Sequence, residues 1–395
     1  MAPVGTQADT QTFVSTIRQA FGDSQSSEDA RVVATAKARQ DVLEKAGAAI
    51  RNLDAVKKQG LSKAAVPALA AGILKVETAA QKSYAADQAF VFEITVRVQV
   101  NTANLEAQAE GFLNDRDLFK KYQDAHQRES DLLAAFNSRE AEDRKGESAS
   151  PDDKQVMNQK SDKTVRKLSA VAWYTKALDL ANHQALAGRI PDEAGDYLLK
   201  AVTLDPEYVE ALSWLGRICS EKGEYGRAAD YYQRALEAEV AAGGGDQTDM
   251  AAAYNRLGLA RHRSGEYDRA IEAYRNAWKI QIQTRGENHP DVATTYNNMG
   301  ETYRRKGEYD RAIEYYMKDL EITLKALGPN HPNLITTYNN LGYAYHGKGD
   351  NDRALEYFQK ALTVCRESLG EDHPQTKAIM ENIDFLKASA SPPAR

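Results

Sequence analysis

In the C-terminal half of the chain apolar positions recur at three- and four-residue spacings, broken at regular intervals by glycine. Tyr296, Met299, Gly300 and Tyr303 share one side of a helix, and Ala312, Ile313 and Tyr316 begin a second one after the break at Gly307. Each stretch therefore predicts an amphipathic helical hairpin. Gly300 has no side chain and lets the second helix approach the first, while Gly307 supplies the left-handed residue that closes a helix. The blocks Tyr254 to Gly258, Tyr296 to Gly300 and Tyr338 to Gly342 stand 42 residues apart, each followed by a near copy of Gly-Glu-Tyr-Asp-Arg-Ala-Ile-Glu. A unit this short cannot bury its own apolar face, so neighbours must stack into a solenoid.

The first hundred residues carry a different pattern. Phe90, Phe92, Ile94, Val96, Val98 and Val100 alternate with Val91, Glu93, Thr95, Arg97 and Gln99, which predicts a strand with one buried and one wet face. Ile73 to Tyr84 is its expected hairpin partner, through a turn at Ala85 to Gln88, and Ala48 to Val56 a third strand. Phe13, Ile17, Ala20 and Phe21 suggest a short helix ending at Gly22. Ser26 to Asp29 suggest a helix start with early acids, followed by a small-residue stripe from Ala30 to Ala46 that stops at Gly47. Leu61 to Ala71 reads as helical, which completes a small α+β domain. From Thr102 to about Arg144 a long amphipathic helix is expected, packed on the domain or paired in a coiled coil, and Lys145 to Asp162 reads as a polar linker.

The order Tyr338, Leu341-Gly342, Tyr345, Ala354, Phe358, Ala361 resembles the tetratricopeptide repeat. The 42-residue length, the Asn-Asn-Leu-Gly run and the Gly-x-x-His-Pro connectors at 286–290, 328–332 and 370–374 resemble repeats of kinesin light chain and related bacterial proteins. Extending the register backwards gives five repeats, at 175–208, 209–250, 251–292, 293–334 and 335–376, the first with Asn182 where glycine is expected. The resulting fold is mainly α: a small α+β domain at 1–101, a long helix and linker at 102–174, the repeat solenoid, a closing helix at 377–388 and a tail at 389–395. Ile379, Ile383, Phe385 and Leu386 are expected to cover the last apolar edge. Ser26 to Arg31, Leu69 to Val76 and Glu93 to Val98 are similar to an α+β module that precedes repeat arrays in bacterial envelope proteins. Two departures from the repeat, Asp319 at a small-alanine position and Arg261 at an aromatic one, are expected to lean out to solvent, because a buried carboxylate without a partner is costly.

Composition narrows the function classes. A formal charge of −6 gives no electrostatic reason to expect nucleic acid or an anionic membrane. The repeat positions explain most of the 20 tyrosines. Cys219 and Cys365 stand several repeats apart, so no disulfide is expected, and Cys219 reads as a buried small hydrophobe. No apolar run approaches the ~20 residues of a membrane span. Met1 to Thr6 shows no basic segment followed by an apolar one, which leaves open a periplasmic or envelope location after removal of an export signal and, otherwise, the cytoplasm. His289, His331 and His373 recur as connector residues and not as a metal set, since neighbouring helices ~8–10 Å apart hold them beyond the ~2 Å bonds of zinc. No phosphate loop, Cys-x-x-Cys or His-Glu-x-x-His is present, so neither a cofactor nor an enzyme is expected.

What the sequence offers instead is a binding surface. First helices of the repeats line the concave side, and residues at i, i+4 and i+7 face inward: Asn255, Leu259 and His262; Asn297, Glu301 and Arg304; Asn339, Tyr343 and His346. Arg263 and Arg305 lie at the edge of this row, and Ser213 and Arg217 continue it. Asparagine offers both a donor and an acceptor to a peptide main chain. The resemblance to kinesin light chain repeats implies that Asn297 and Asn339 hold an extended peptide, so the expected partner is a protein or peptide segment. In the alternative reading, the asparagines bond between helices, and the repeats pack on the N-terminal domain or self-associate.

Overall fold

The computed structural model describes residues 10–21, 26–86, 89–143, 151–184 and 191–390. The expected stop at Gly22, the turn at Asp87 and Gln88, residues 145–150 of the expected linker and residues 391–395 of the tail lie outside them. Two compact units are present, Met1–Ala211 and Leu212–Arg395.

The first unit is built on an antiparallel sheet in the order β1-β3-β2, formed by β1 (Thr10–Phe21), β2 (Val76–Ala86) and β3 (Ala89–Asn101). Strand β3 follows its alternation from Phe92 onward, with Phe92, Ile94, Val96, Val98 and Val100 buried, but Phe90 at its start is 59% exposed and Glu93 on the expected wet face is buried. Its neighbour on one side is a surprise. Residues 10–21 form strand β1 and not a helix, pairing Phe13 with Val98, Ile17 with Ile94 and Phe21 with Phe90. Spacings of four suit both a helix and one face of a strand. The alternation was hidden because the intervening inward positions are polar: Ser15 and Gln19 are buried, and bond to Asp41 and to Lys37 and Glu140.

Helix α1 (Ser27–Ile50) starts at a capping box between Ser26 and Asp29 and buries Val33, Ala34, Ala38, Val42 and Ala46. It packs on β1 and β3. Gly47 does not stop it, and residues 48–56 are not a strand: they finish α1 and begin α2 (Asp54–Gln59). Helix α3 (Val66–Ile73) follows, with Pro67 in its first turn. The expected long helix is two, α4 (Leu105–Asn114) and α5 (Arg116–Asp143), parted at Asp115, whose carboxylate accepts from the Leu118 N–H. Of the expected linker, residues 151–162 belong instead to helix α6 (Pro151–Gln184). With α7 (Asp192–Leu204), α6 makes the first hairpin, burying Leu178, Ala194, Leu198 and Ala201. Asn182 donates to the Gly72 carbonyl at 2.8 Å and so ties α6 to α3.

Helix α8 (Val209–Glu221) carries the division between the units. Beyond it the second unit is a run of hairpins: α9 (Tyr225–Ala241), α10 (Gln247–Arg263) with α11 (Tyr267–Arg285), α12 (Pro290–Arg305) with α13 (Tyr309–Leu327), and α14 (Asn333–Lys348) with α15 (Asn351–Leu369), followed by α16 (Pro374–Ala390). The close approach at the repeat glycine is real. A Cβ at Gly258, Gly300 or Gly342 would lie 2.5, 2.7 or 2.6 Å from the ring of Tyr274, Tyr316 or Phe358, closer than any side chain tolerates. Gly307 has φ 79°, the left-handed turn out of α12. In the connectors the Nδ1 atoms of His289, His331 and His373 accept from the N–H of Asp291, Asn333 and Gln375, so these histidines cap helices.

Both cysteines are free and buried. Arg261 leans out only in part: it is half-buried and donates to Gln233 at 3.0 Å and to the Arg269 carbonyl. Asp319 does not. It is 4% exposed and accepts from Asn297 Nδ2 at 2.7 Å, Thr337 Oγ1 at 2.7 Å and Thr323 Oγ1 at 3.0 Å. Three donors drawn from α12, α14 and its own helix replace the water it loses. On α16, Ile379, Ile383 and Leu386 are buried as expected, but Phe385 is 63% exposed and stands edge-on to His346.

Candidate functional site

The first helices α10, α12 and α14 bring together a cavity of about 530 Å³, lined by Leu259, His262 and Arg263 from α10, Asn297, Asn298, Glu301, Arg304 and Arg305 from α12, and Asn340 and Tyr343 from α14. Tyr267 and Tyr274 on α11 complete it. The helices hold these side chains in line because each repeats the spacing of the one before it. Leu259, Glu301, Tyr343 and Phe385 are each 42 residues apart, as are Asn298, Asn340 and Asn382. Of the residues expected to form the groove, Leu259, His262, Asn297, Glu301, Arg304 and Tyr343 meet here. Asn255 lines a separate cavity of about 260 Å³. Ser213, Arg217, Asn339 and His346 line neither.

Each side chain has identifiable constraints. Glu301 receives the Arg304 guanidinium through two bonds of 2.6 and 2.7 Å, Arg305 at 2.9 Å and the Tyr316 hydroxyl at 3.0 Å. Burial works to raise its pKa, but these partners outweigh it and hold the carboxyl below the usual range. Arg304 lies 5.8 Å from the centre of the Tyr343 ring, and Tyr343 Oη accepts from Asn382 Nδ2 at 2.8 Å. His262 Nδ1 pairs with Thr302 Oγ1 at 3.0 Å, and burial pushes its imidazole below the usual value against the pull of Glu301. Three guanidiniums, from Arg263, Arg304 and Arg305, line the cavity with one carboxylate, which pairs with the last two. The cavity carries positive charge on a chain of net charge −6. Leu259, 45% exposed, and Tyr343, 37% exposed, add apolar surface.

The asparagines differ from one another. Asn297 is held from behind by Asp319 and accepts from Asn340 Nδ2 at 3.2 Å, so one amide joins the groove to a buried network. Asn255 exchanges bonds with Thr295 Oγ1. Asn339 has a buried Oδ1 with no hydrogen-bond partner among the described residues. Asn298 and Asn340, set apart from the groove by the sequence, line it. Their neighbouring position one residue along the helix was the available signal. Among the described residues no cluster of three or more His, Cys, Asp or Glu side chains could hold a metal, and no helix is long and apolar enough to cross a membrane.

Models of the tetratricopeptide repeat match residues 178–246, and residues 249–325, 291–367 and 344–383. Together these matches cover more than half of the chain. It is a tetratricopeptide repeat protein. No curated protein matches it in sequence. Solved structures similar to it include a MamA protein, at 29% identity over 51% of this chain and 96% of that one with a TM-score of 0.39. A putative kinesin light chain with nearly identical repeats from Podosopora anserina aligns at 19% identity, over 47% of this chain and 87% of that one, with a TM-score of 0.41. YrrB, described as a repeat protein with an unusual peptide-binding site, aligns at 21% identity, over 54% and 92%, with a TM-score of 0.38. In this tetratricopeptide repeat protein the first helices of three successive hairpins, α10, α12 and α14, are those that meet at the cavity.

Proposed function

We propose that this protein is a non-enzymatic interaction scaffold, and that the repeats hold an extended acidic segment of a partner protein along α10, α12 and α14. The observation that carries this reading is the cavity of about 530 Å³ in which Arg263, Arg304 and Arg305 outnumber Glu301 beside exposed Leu259 and Tyr343. A groove of one sign of charge concentrates an oppositely charged segment and fixes its register, and apolar side chains then supply contact area. Inner helices ~10 Å apart match about three residues of an extended strand at ~3.3 Å each. A segment of some ten residues would cross all three helices. Repeats of this family serve as a rule as scaffolds for other proteins, which agrees with an arrangement that gathers charge and surface but no nucleophile with its base.

The test uses random 12-residue peptides displayed on phage and selected against the full chain, then synthesised with a fluorescent label. Binding peptides should be rich in Asp and Glu. Arg263→Glu combined with Arg305→Glu reverses the charge of two exposed side chains and should weaken them at least tenfold, with unchanged circular dichroism. Selected peptides that ignore this double substitution would place the binding surface elsewhere.

A further inference from the structure

A second cavity, of about 200 Å³, shares Asn297 and Asn298 with the first and is lined further by Asp319, Thr323, Asn333 and Thr337. No lysine, arginine or histidine lines it, and among the described residues no cation pairs with Asp319. A buried carboxylate is normally paired, because desolvating a charge is expensive. Here hydroxyl and amide donors do the work alone. Oδ2 accepts from Asn297 and Thr337, while among the described residues Oδ1 accepts from Thr323 only. An ionised carboxylate has about four acceptor sites, so Oδ1 retains capacity beside the cavity.

The same place in the preceding repeat is chemically different. Its cavity is lined by Asp291 and Arg285, which pair with each other, and the residue in register with Asp319 is Ala277. In the following repeat it is Ala361. The fourth repeat is thus singled out by an acidic residue at a position where its neighbours carry alanine.

We propose that Asp319 is a specificity site that receives a lysine or arginine side chain of the bound segment, so that the partner is read as acidic over Arg304 and Arg305 and basic over Asp319. This rests on the groove reading above and adds to it a cation at a fixed distance from the acidic residues. The occupant is set by charge complementarity: a carboxylate with no cation partner among the described residues, at a cavity of about 200 Å³ that shares Asn297 and Asn298 with the basic groove. An apolar side chain would leave that carboxylate desolvated and unpaired.

The selected 12-residue peptides supply the probe. They should carry a Lys or Arg at constant spacing from their acidic residues. Replacing it with norleucine should weaken binding to the wild-type chain at least tenfold, and binding to Asp319→Ala less than twofold. Asp319→Ala installs the residue that the adjoining repeats hold at this position, and circular dichroism checks that it folds. Binders without an enriched basic residue, or an equal loss on both proteins, would overturn the inference while leaving the groove intact. Binders indifferent to Arg263→Glu with Arg305→Glu would remove the groove reading, and this inference with it.

Discussion

The fourth and fifth repeats share a register and differ at one buried position. In the fourth, Asn297 on α12 meets Asp319 on α13, and through it Thr337 on α14. In the fifth, Asn339 has the same place on α14, but Ala361 on α15 offers no hydrogen-bonding group, and the Asn339 Oδ1 is left buried without a partner among the described residues. One sequence motif therefore does two jobs. Duplication supplied an asparagine to both repeats; only where an acid appeared behind it did the asparagine become a fixed part of the groove. The fourth repeat is also flanked by repeats on both sides, whereas the fifth packs its outer face on α16.

That last difference gives the largest expected effect. Deleting residues 376–395 exposes the surface under Ile379, Ile383 and Leu386, each buried to 5% exposure or less. At ~1.5 to 3 kcal/mol for a large side chain, the loss should be roughly 5 kcal/mol, read as a lower denaturation midpoint, with self-association through the uncovered face in size exclusion. Phe385→Ser, by contrast, should shift stability by less than about 0.5 kcal/mol, since the ring is exposed. A full-strength, monomeric truncation would show that the fifth repeat needs no cover.

The two asparagines should part company in stability. Asn297→Ala removes a donor from a buried carboxylate, which costs about 1 to 3 kcal/mol. Asn339→Ala removes an acceptor that already lacks a partner, so its cost should fall below about 0.5 kcal/mol. Equal losses in urea titrations of the two variants would break the comparison. A double-mutant cycle of Asn297→Ala with Asp319→Ala sharpens it further, with an expected coupling of about 1 kcal/mol or more, against nothing measurable for Asn339→Ala with the same partner.

How much of this could be foreseen depends on how far each determinant reaches along the chain. The hairpins were legible because Gly300 and Tyr316, or Gly307 and its turn, act within one repeat and recur. Strand β1 was not, since its inward face carries Ser15 and Gln19, whose partners lie on α1 and α5. The break at Asp115 turns on a single side chain capping α5. Asp319 was misjudged because the rule against unpartnered buried charge is sound, but its donors come from three helices and cannot be seen from one position. The 42-residue register sets Asp319 in a column of alanines, which marks the position but not its partners, and sets Phe385 in the column of exposed Tyr343. Of the row that the same register predicts, Leu259, His262, Asn297, Glu301, Arg304 and Tyr343 line the cavity, whereas Ser213, Arg217, Asn255, Asn339 and His346 do not.

The pH dependence of the fourth repeat is the smallest and most specific consequence. Burial raises the Asp319 pKa above the ordinary carboxylate value, and the bonds from Thr337, Asn297 and Thr323 offset only part of that rise. Between the unfolded value and the raised folded value the native state therefore binds more protons than the unfolded chain, and stability falls as pH increases through that window. Above it the cost of holding the charge is fully present; below both values it is absent. Other carboxylates work in the opposite direction, Glu301 among them, because its pKa is depressed in the folded state. The readable quantity is accordingly a difference. The melting temperature of the wild type minus that of Asp319→Asn should rise as pH is lowered from 7 towards 4, since only the wild type is relieved of a buried charge, while the Glu301 contribution cancels. A wild-type advantage that shrinks on acidification would mean that Asp319 is stabilised as an anion by its three donors, and that the cavity beside it has no call for a cation.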